Sequence, residues 1–585
     1  MSQSRSHPDN NSLRAFVDIG SNGIRFSIST VEPKHARIFP CLFQDRAAIS
    51  LYDHVHPTSH GSYQSPTRTP ETNSGANTPI GSEHPHKPLN ILLAEKNEIS
   101  NQAIEEVKQT LLRFKGICEE FGVQDHNVKV IATEATREAP NSEKFRAALT
   151  SATGWEVHLL SKVEEGRTGA YGVASSFYEV QGLYMDLGGG STQISWMECK
   201  DGIFRMSDAP VSLPYGAAAL TRRLNREPLE DIEAEMAQRL TAAINVIGIP
   251  ESMKMAAQQQ GGYKIYVSGG GFRGLGHLVL AHRKDSVYPL PIINGFSCTS
   301  SDIIQLIDSN LLGEESIKAS KKTFRISERR AIQLPAVAML VKCVLQVFPP
   351  IRKVMFSQGG VREGALFHDL PASIRSQDPL FICTSPYAPA LARRYIEVLL
   401  TTLPQNAPKV IRERIVPALV NVAFAHSSYP KELQPSAGLA IASTGLISGC
   451  HGLSHEVRAL LGLALCQRWG GELTDKTLRD SLIGILTPKS LGWWAIYCGN
   501  LMHVIGGVYP GGNVGDDLIQ FTVEELETEG RLDRFNLLVQ VNKSSPRTTA
   551  ATVRSRIKNL EKKLKRLSKD FGSSGLKVDV FVEWV

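Results

Sequence analysis

The sequence predicts an α/β fold built twice over, followed by a mostly helical C-terminal domain. One hairpin plan occurs at residues 15–29 and again at 183–197: an apolar run, an aspartate, one residue, a glycine, a polar turn and an alternating strand. Strand-like and helix-like segments alternate after each hairpin, the signature of layered α/β lobes. Beyond about Pro371 the pattern shifts to long helix-like stretches.

In order, residues 1–12 read as a disordered N-terminus and 13–180 as the first lobe. The hairpin LRAFVDIGSNGIRFSIST opens that lobe, and 37–50 reads as a further strand. Residues 53–88 are rich in Ser, Thr, Pro, Gly and His and cannot bury enough surface to offset chain entropy, so they read as a disordered insertion. Its five histidines read as a solvated tract rather than a metal site, and its Ser-Pro and Thr-Pro pairs are candidate phosphorylation sites. Helical spacing at 98–122, a strand at 128–133, a helix from Ser142 and a strand at Trp155–Leu160 complete the lobe. The second lobe, 181–370, holds the repeated hairpin, helices at 229–246, 301–312 and 328–347, and strands at 263–270 and 354–360. In the C-terminal domain, 371–585, helices are expected at 389–425, 453–468 and 551–570, with a last strand KVDVFVEWV. Val553, Ile557, Leu560, Leu564 and Leu567 form one apolar stripe on the 551–570 helix.

With 42% hydrophobic residues, the 585-residue chain has ample material for buried cores. A net charge of +6 over this length permits an anionic ligand but does not argue for a nucleic-acid-coating surface. None of the nine cysteines forms a C-x-x-C pair, which fits a reducing compartment. The N-terminal MSQSRSHPDNNS lacks an apolar signal-peptide core, and the nearest approach to a long apolar run, Ser436–Gly449, is short and polar-studded. The expectation is a soluble cytoplasmic protein with no membrane segment and no direct nucleic-acid binding; a homodimer stays open.

The chemistry gathers at glycine turns. In Asp18-Ile19-Gly20-Ser21-Asn22-Gly23, the glycine lets backbone approach a ligand, successive N–H groups suit phosphate oxygens, and Ser21 and Asn22 add donors. Asp18 at the strand end suits hydrated Mg2+, which takes one or two carboxylates plus phosphate oxygens. Asp186 and Gly188-Gly189-Gly190-Ser191-Thr192 repeat the plan. Gly269-Gly270-Gly271 and Gly359-Gly360 with Gly364 are two more glycine clusters after apolar strands. Four such turns argue for a ligand cleft between lobes. Glu164-Glu165 reads either as a proton acceptor or as a solvated helix start, and Arg137 as a phosphate ligand or a surface ion pair. His455, in GLSHEVR, reads as a buried or capping histidine.

The series VDIGSN, ATEATREAPN, EEGR, DLGGGST, SLPYG, VSGGG and SQGGVREG resembles the exopolyphosphatase/guanosine-pentaphosphate phosphohydrolase (Ppx/GppA) family over about residues 13–370. The resemblance implies an actin-like (ribonuclease-H-like) two-lobed ATPase fold. It implies Mg2+ near Asp18 and Asp186, and a polyphosphate or nucleotide ligand. Gly20, Ser21, Asn22, Arg137, Gly188, Gly189, Gly190, Ser191 and Thr192 would hold phosphate, Gly269, Gly270 and Gly271 would line the ligand, and Glu165 would be the catalytic base. Two positions depart from the family pattern: Gln193 replaces an acid, and Gly23 replaces a hydroxyl residue. The insertion and the C-terminal part resemble fungal members associated with mitochondria-to-nucleus retrograde signalling through protein partners. Two readings follow: a ligand-binding regulatory protein with weak hydrolysis, or an active Mg2+-dependent phosphohydrolase.

Overall fold

The computed structural model describes residues 12–21, 23–51, 55, 97–282, 288–309, 326–515, 517–528 and 531–585. The expected insertion at 53–88, apart from Val55, and the expected tail at 1–11 lie outside them, as does the end of the 301–312 helix beyond Ser309. The chain forms two compact units. The smaller comprises Val17–Phe26 and Asp45–Ser161; the larger comprises Met1–Phe16, Ser27–Gln44 and Lys162–Val585.

β1 (Leu13–Gly20), β2 (Gly23–Thr30), β3 (Cys41–Ala47), β4 (Val128–Ala132) and β5 (Val157–Leu159) form a sheet in the order β3-β2-β1-β4-β5, with β4 and β5 parallel. Helix Asn101–Phe121 starts where the Ser100 hydroxyl accepts from the Ala103 amide and ends at left-handed Gly122. It buries Ile104, Val107, Leu111, Phe114 and Cys118 at helical spacing, and Phe114 stacks on Phe26 with centroids 4.4 Å apart.

In the larger unit, β6 (Val180–Leu187), β7 (Thr192–Lys200), β8 (Ile203–Met206), β9 (Val211–Leu213), β10 (Tyr263–Gly269), β11 (Ser297–Thr299) and β12 (Ile351–Phe356) form a second sheet. Its order is β11-β12-β10-β6-β7-β8, with β9 on β7. β6 pairs antiparallel with β7 on one side and parallel with β10 on the other, and β10 pairs parallel with β12. Counted outward from β1 and from β6, the two sheets have the same strand order, so the repeated hairpins open a duplicated, actin-like α/β fold.

Side chains alternate across β6, as strand geometry requires. Leu183, Met185 and Leu187 enter one core with the helices Leu229–Val246, Gly270–Ala281 and Glu328–Val347. Tyr184 enters the opposite core with Ala170, Val173 and Ala174 of helix Lys162–Ser175. That helix meets the segment Gly359–Gly364 almost backbone to backbone. A Cβ on Gly172 would stand 2.0 Å from the Gly360 oxygen, and one on Gly364 would stand 1.8 Å from the Thr168 oxygen.

The C-terminal part of the same unit packs the helices His455–Arg468, Ser490–Val508 and Ala551–Phe571 around one large core. The 551–571 helix buries the five residues of its expected stripe. It joins two parallel strands of a three-stranded sheet, β13 (Ile519–Thr528), β14 (Arg531–Val541) and β15 (Lys577–Trp584). His455, buried in the first turn of its helix, meets the Tyr288 hydroxyl through Nδ1 at 2.7 Å.

Several expected bounds shift. The strand expected at 354–360 ends at Phe356, because the chain then turns to helix Lys162–Ser175 and its neighbour Ser176, which accepts from the Gly359 amide at 3.1 Å. The helix expected over 389–425 breaks into Ala392–Leu400, Val410–Ile415 and Val416–Asn421, interrupted at Pro404 and Pro408. Among the described residues one helix, Arg330–Val347, is long and apolar enough by length and composition to cross a membrane, and 56% of it is buried within the fold, as in a core helix.

The Gly172 contact yields a stability test. Gly172→Ala and Gly364→Ala are expected to cost about 1–3 kcal/mol each through overpacking. Gly360→Ala, whose Cβ would meet nothing within 4 Å, should change stability by less than about 1 kcal/mol. Urea unfolding of the three variants checks this, and equal costs at all three positions would refute the packing account.

Candidate phosphate-binding site

In the larger unit, the turn after β6 closes with the Gly188 amide donating to the Ser191 oxygen at 2.9 Å. Its carbonyls face the start of helix Ala217–Leu224. Gly190 accepts from the Gly216 amide, Gly188 from Ala217, and Gly189 from Ala218 and Ala219, all within 3.1 Å. The helix's unsatisfied first donors are therefore taken up by the turn. A trans peptide directs its N–H away from its C=O. The amides of Gly189, Gly190 and Ser191 consequently leave on the side opposite the helix, an arrangement of successive N–H groups of the kind that suits an anion. A Cβ on Gly216 would overlap Gly189 and Gly190 at 2.3 Å, so the turn could not seat this way on any other residue. The buried Thr192 hydroxyl donates to the Tyr215 oxygen at 2.7 Å.

Asp186 lies two residues beyond Tyr184, on the β6 face covered by helix Lys162–Ser175. A Cβ on Gly169 would stand 3.6 Å from Asp186 Oδ2 and 2.5 Å from the Tyr184 hydroxyl. That buried hydroxyl has no hydrogen-bond partner among the described residues. Burial first, and then the carboxylates of Asp186 and Glu165, push its pKa well above the ordinary phenol value. Glu165, half-buried in the helix's first turn, thus shares with Asp186 the electrostatic surroundings of Tyr184.

Gln193 sits directly opposite Asp186 in the β6–β7 ladder. Its amide nitrogen donates to Ser212 Oγ at 3.0 Å and Ser191 Oγ at 3.3 Å. Its Oε1 lies 3.7 Å from the point a Cβ on Gly166 would occupy. A carboxylate at 193 would face Asp186 across the ladder and stand near Glu165, and like charges that close hold protons at raised pKa. The amide removes that repulsion and anchors both serines.

The third glycine cluster divides its labour. Gly269, at φ 96°, caps helix Gly270–Ala281, and a Cβ there would stand 2.1 Å from the Leu187 oxygen and 2.8 Å from Asp186 Oδ1. A Cβ on Gly271 would press on Leu187, whereas Gly270 borders open space. The first turn of this helix therefore lies beside Asp186, where its partial positive charge favours a carboxylate. The fourth cluster, expected to face a ligand, instead packs its Gly359 and Gly364 against helix Lys162–Ser175.

In the smaller unit, buried Asp18 pairs with Arg25 at 3.6 Å. Gly20 and Ser21 follow in the turn; Asn22 lies outside the described residues. At Gly23, φ 150°, a Cβ would stand 3.0 Å from the Ala47 oxygen and 3.1 Å from Arg46 Nε, so the hydroxyl residue that the resemblance expects would be strained and crowded there. Arg137, in the short helix Glu134–Glu138 after β4, donates to the Leu160 oxygen at 2.6 Å, and the Thr133 amide donates to the Ile19 oxygen at 3.3 Å. The ends of β1 and β4 thus gather Asp18 and Arg137 at one edge of their sheet. Among the described residues no three His, Cys, Asp or Glu side chains form a metal cage. Asp18 and Asp186 each suit the sparser Mg2+ mode in which substrate phosphate completes the shell. Sequence reasoning missed Tyr184, Gly169 and Ser212; the Gly166-Gly169-Gly172 spacing inside a helix was the available signal for Gly169.

A model of the Ppx/GppA phosphatase family matches residues 73–373, and a model of the RTG2 C-terminal domain matches residues 378–585. The first match begins past the Asp18 turn, so it is shorter than the 13–370 span of the motif resemblance. The chain is 42% identical to retrograde regulation protein 2 of Saccharomyces cerevisiae, over 95% of each chain. It is 24% identical to a bifunctional 3-dehydroquinate synthase/phosphatase of Fusobacterium nucleatum, over 37% of this chain and 26% of that one. A solved PPX-GPPA enzyme of Aquifex aeolicus is 22% identical, covering 61% of this chain and 99% of that one at a TM-score of 0.45. The chain belongs to the Ppx/GppA phosphatase family, with an RTG2 C-terminal domain completing it.

Proposed function

We propose that this protein is a regulatory member of its family: it binds a nucleotide or polyphosphate, signals to a protein partner in mitochondria-to-nucleus retrograde regulation, and hydrolyses its ligand only weakly. The observation that carries the reading is Gln193, an amide held by two serines directly opposite Asp186. The 42% identical yeast relative, a retrograde regulation protein, supports the same role. In this reading the amides of Gly188 to Ser191 receive phosphate oxygens, Thr192 shapes their turn and Gly270 borders the ligand. Gly20, Ser21, Asn22 and Arg137 take the phosphate-holding roles that the family motifs imply. Mg2+, held by Asp18 or Asp186 with phosphate oxygens, would supply charge neutralisation. The protein acts in the cytoplasm, through a C-terminal region (371–585) that carries the partner-facing function. Ligand binding then shifts the population of partner-competent conformations, which requires differential affinity and no turnover.

Glu165 favours a second reading, an active Mg2+-dependent exopolyphosphatase or guanosine-pentaphosphate phosphohydrolase. Its carboxylate, which like that of Asp186 acts on the Tyr184 hydroxyl, would accept a proton from water attacking the terminal phosphorus.

Purified protein with Mg2+, offered polyphosphate, ATP and guanosine polyphosphates, is expected to bind at least one of them and to release phosphate more slowly than about 1 s⁻¹. Faster turnover would establish the enzyme reading instead. Gln193→Glu should raise phosphate release by about 10-fold or more, given the 10²–10⁴-fold typical of a general base or acid; an unchanged rate would remove Gln193 from the explanation. Glu165→Gln should abolish the residual release while leaving affinity within about twofold, because a proton acceptor acts on the transition state rather than on binding. Asp186→Ala should weaken binding about tenfold, on the order of 1.4 kcal/mol; titration calorimetry giving equal affinity would count against this site.

A further inference from the structure

We propose that the C-terminal region carries a second, separate anion site: a cavity of about 600 Å³ in which Arg468, Arg556 and Lys563 bind the phosphate group of a small molecule. The argument begins with three arginines buried in the same unit. Arg37 donates to the carbonyls of Ser175, Phe177 and Arg375. Arg458 donates to those of Ala442, Ser448 and Cys450. Both are structural arginines held by three backbone carbonyls each, although the Arg458 Nε also lacks a partner. Arg468 is 4% exposed and lines the cavity, yet its Nε has no hydrogen-bond partner. Its guanidinium lies over the rings of Trp469 at 4.4 Å and Phe424 at 5.4 Å. Aromatic faces hold a cation in place without using its N–H donors. The indole Nε1 of Trp469, on the same cavity wall, is a second buried donor with no partner.

The site is built around these cations. Gly506 and Gly507 on helix Ser490–Val508 make room for two guanidinia. A Cβ at Gly506 would stand 2.5 Å from Arg468 Nη2, and one at Gly507 would stand 2.9 Å from Arg556 Nη1. Arg556 donates to the His503 oxygen at 2.9 Å, and half-buried Lys563 follows two helical turns later on the same helix. His503 Nδ1 contacts the Arg468 carbonyl at 3.0 Å. Burial, then the charges of Arg556 and Lys563, push the His503 pKa down to about 3, so the imidazole adds no charge of its own. The other charged groups on the wall are Lys431, Glu432 and Glu472, and no carboxylate forms an ion pair with Arg468, Arg556 or Lys563 among the described residues. Glu472 offsets part of the Lys563 charge, and Arg556, Lys563 and the buried Arg468 still gather like charge at one wall, which costs folding energy. A phosphate offers several acceptor oxygens and up to two negative charges, which matches two guanidinia, an ammonium and an indole N–H. A larger cavity of about 970 Å³ shares Gly470, Glu472 and Lys563 with this one and leaves space for the remainder of a phosphorylated molecule.

Calorimetric titration of the full chain tests the proposal, with inorganic pyrophosphate as probe and a chelator present to suppress Mg2+-dependent binding elsewhere. Wild type should bind, and Arg556→Gln and Lys563→Gln should each weaken binding tenfold or more. Parallel titrations with inorganic phosphate and with a sugar phosphate separate a free anion from the phosphate of a larger molecule; loss of either in both variants supports the site. Absence of binding to wild type for every probe overturns the proposal, as does equal affinity in Arg556→Gln, Lys563→Gln and wild type, with circular dichroism confirming that the variants are folded. Because Arg556 and Lys563 lie outside the glycine-turn site, failure of this inference and failure of the regulatory reading are separately visible.

Discussion

The contact between helix Lys162–Ser175 and the segment Gly359–Gly364 is the constraint on which the candidate site depends. Gly166, Gly169 and Gly172 recur every three residues and so form one stripe along the helix. Their neighbours follow in order: Gln193 beside Gly166, Tyr184 and Asp186 beside Gly169, and the Gly360 backbone against Gly172. Glycine inside a helix costs roughly 1 kcal/mol relative to alanine. Three in one stripe imply that closeness of approach outweighs that cost. The approach is what holds Glu165, near the start of the helix, against the end of β6. No polar interaction in the site could set this distance, because side chains of ordinary length would hold the backbones further apart.

Given that distance, the electrostatics at the end of β6 follow from what each neighbour can donate. Asp186 stands beside the first turn of helix Gly270–Ala281, where aligned peptide dipoles favour a negative charge. Across the ladder it meets a neutral amide, and over it lies a buried phenol kept protonated by burial and by the two nearby carboxylates. The result places the Asp186 carboxylate between a neutral amide, a buried phenol and the first turn of a helix.

Much of this fold was legible in the sequence, and the losses have physical causes. The duplicated hairpins follow from alternation bounded by turn residues, and the five-residue stripe of the 551–571 helix from its 3.6-residue period. β13 and β14 were not legible: segments such as FTVEELET alternate weakly and carry three glutamates, so partners rather than local pattern make them strands. The glycine clusters were legible as places of close approach but not as to what approaches. Sequence marks a glycine at Gly188, Gly269 and Gly364 alike. Only the fold reveals that the first belongs to an amide turn, the second to a strand end and the third to a helix contact.

The two hairpins diverge at one step, and that step bears on what the protein does. Counted along the sequence from Asp18 and from Asp186, the residue seven positions on is Arg25 in the first and Gln193 in the second. In the first hairpin that residue is a cation 3.6 Å from the aspartate; in the second it is an amide opposite it. Neither hairpin supplies a second acid at this position. A hydrolase needs a group that removes a proton as the nucleophile forms, whereas a binding protein needs only donors and charge balance. In the first hairpin a guanidinium already offsets the aspartate, and in the second a neutral amide faces it, so at this step both hairpins carry charge balance rather than a second proton acceptor.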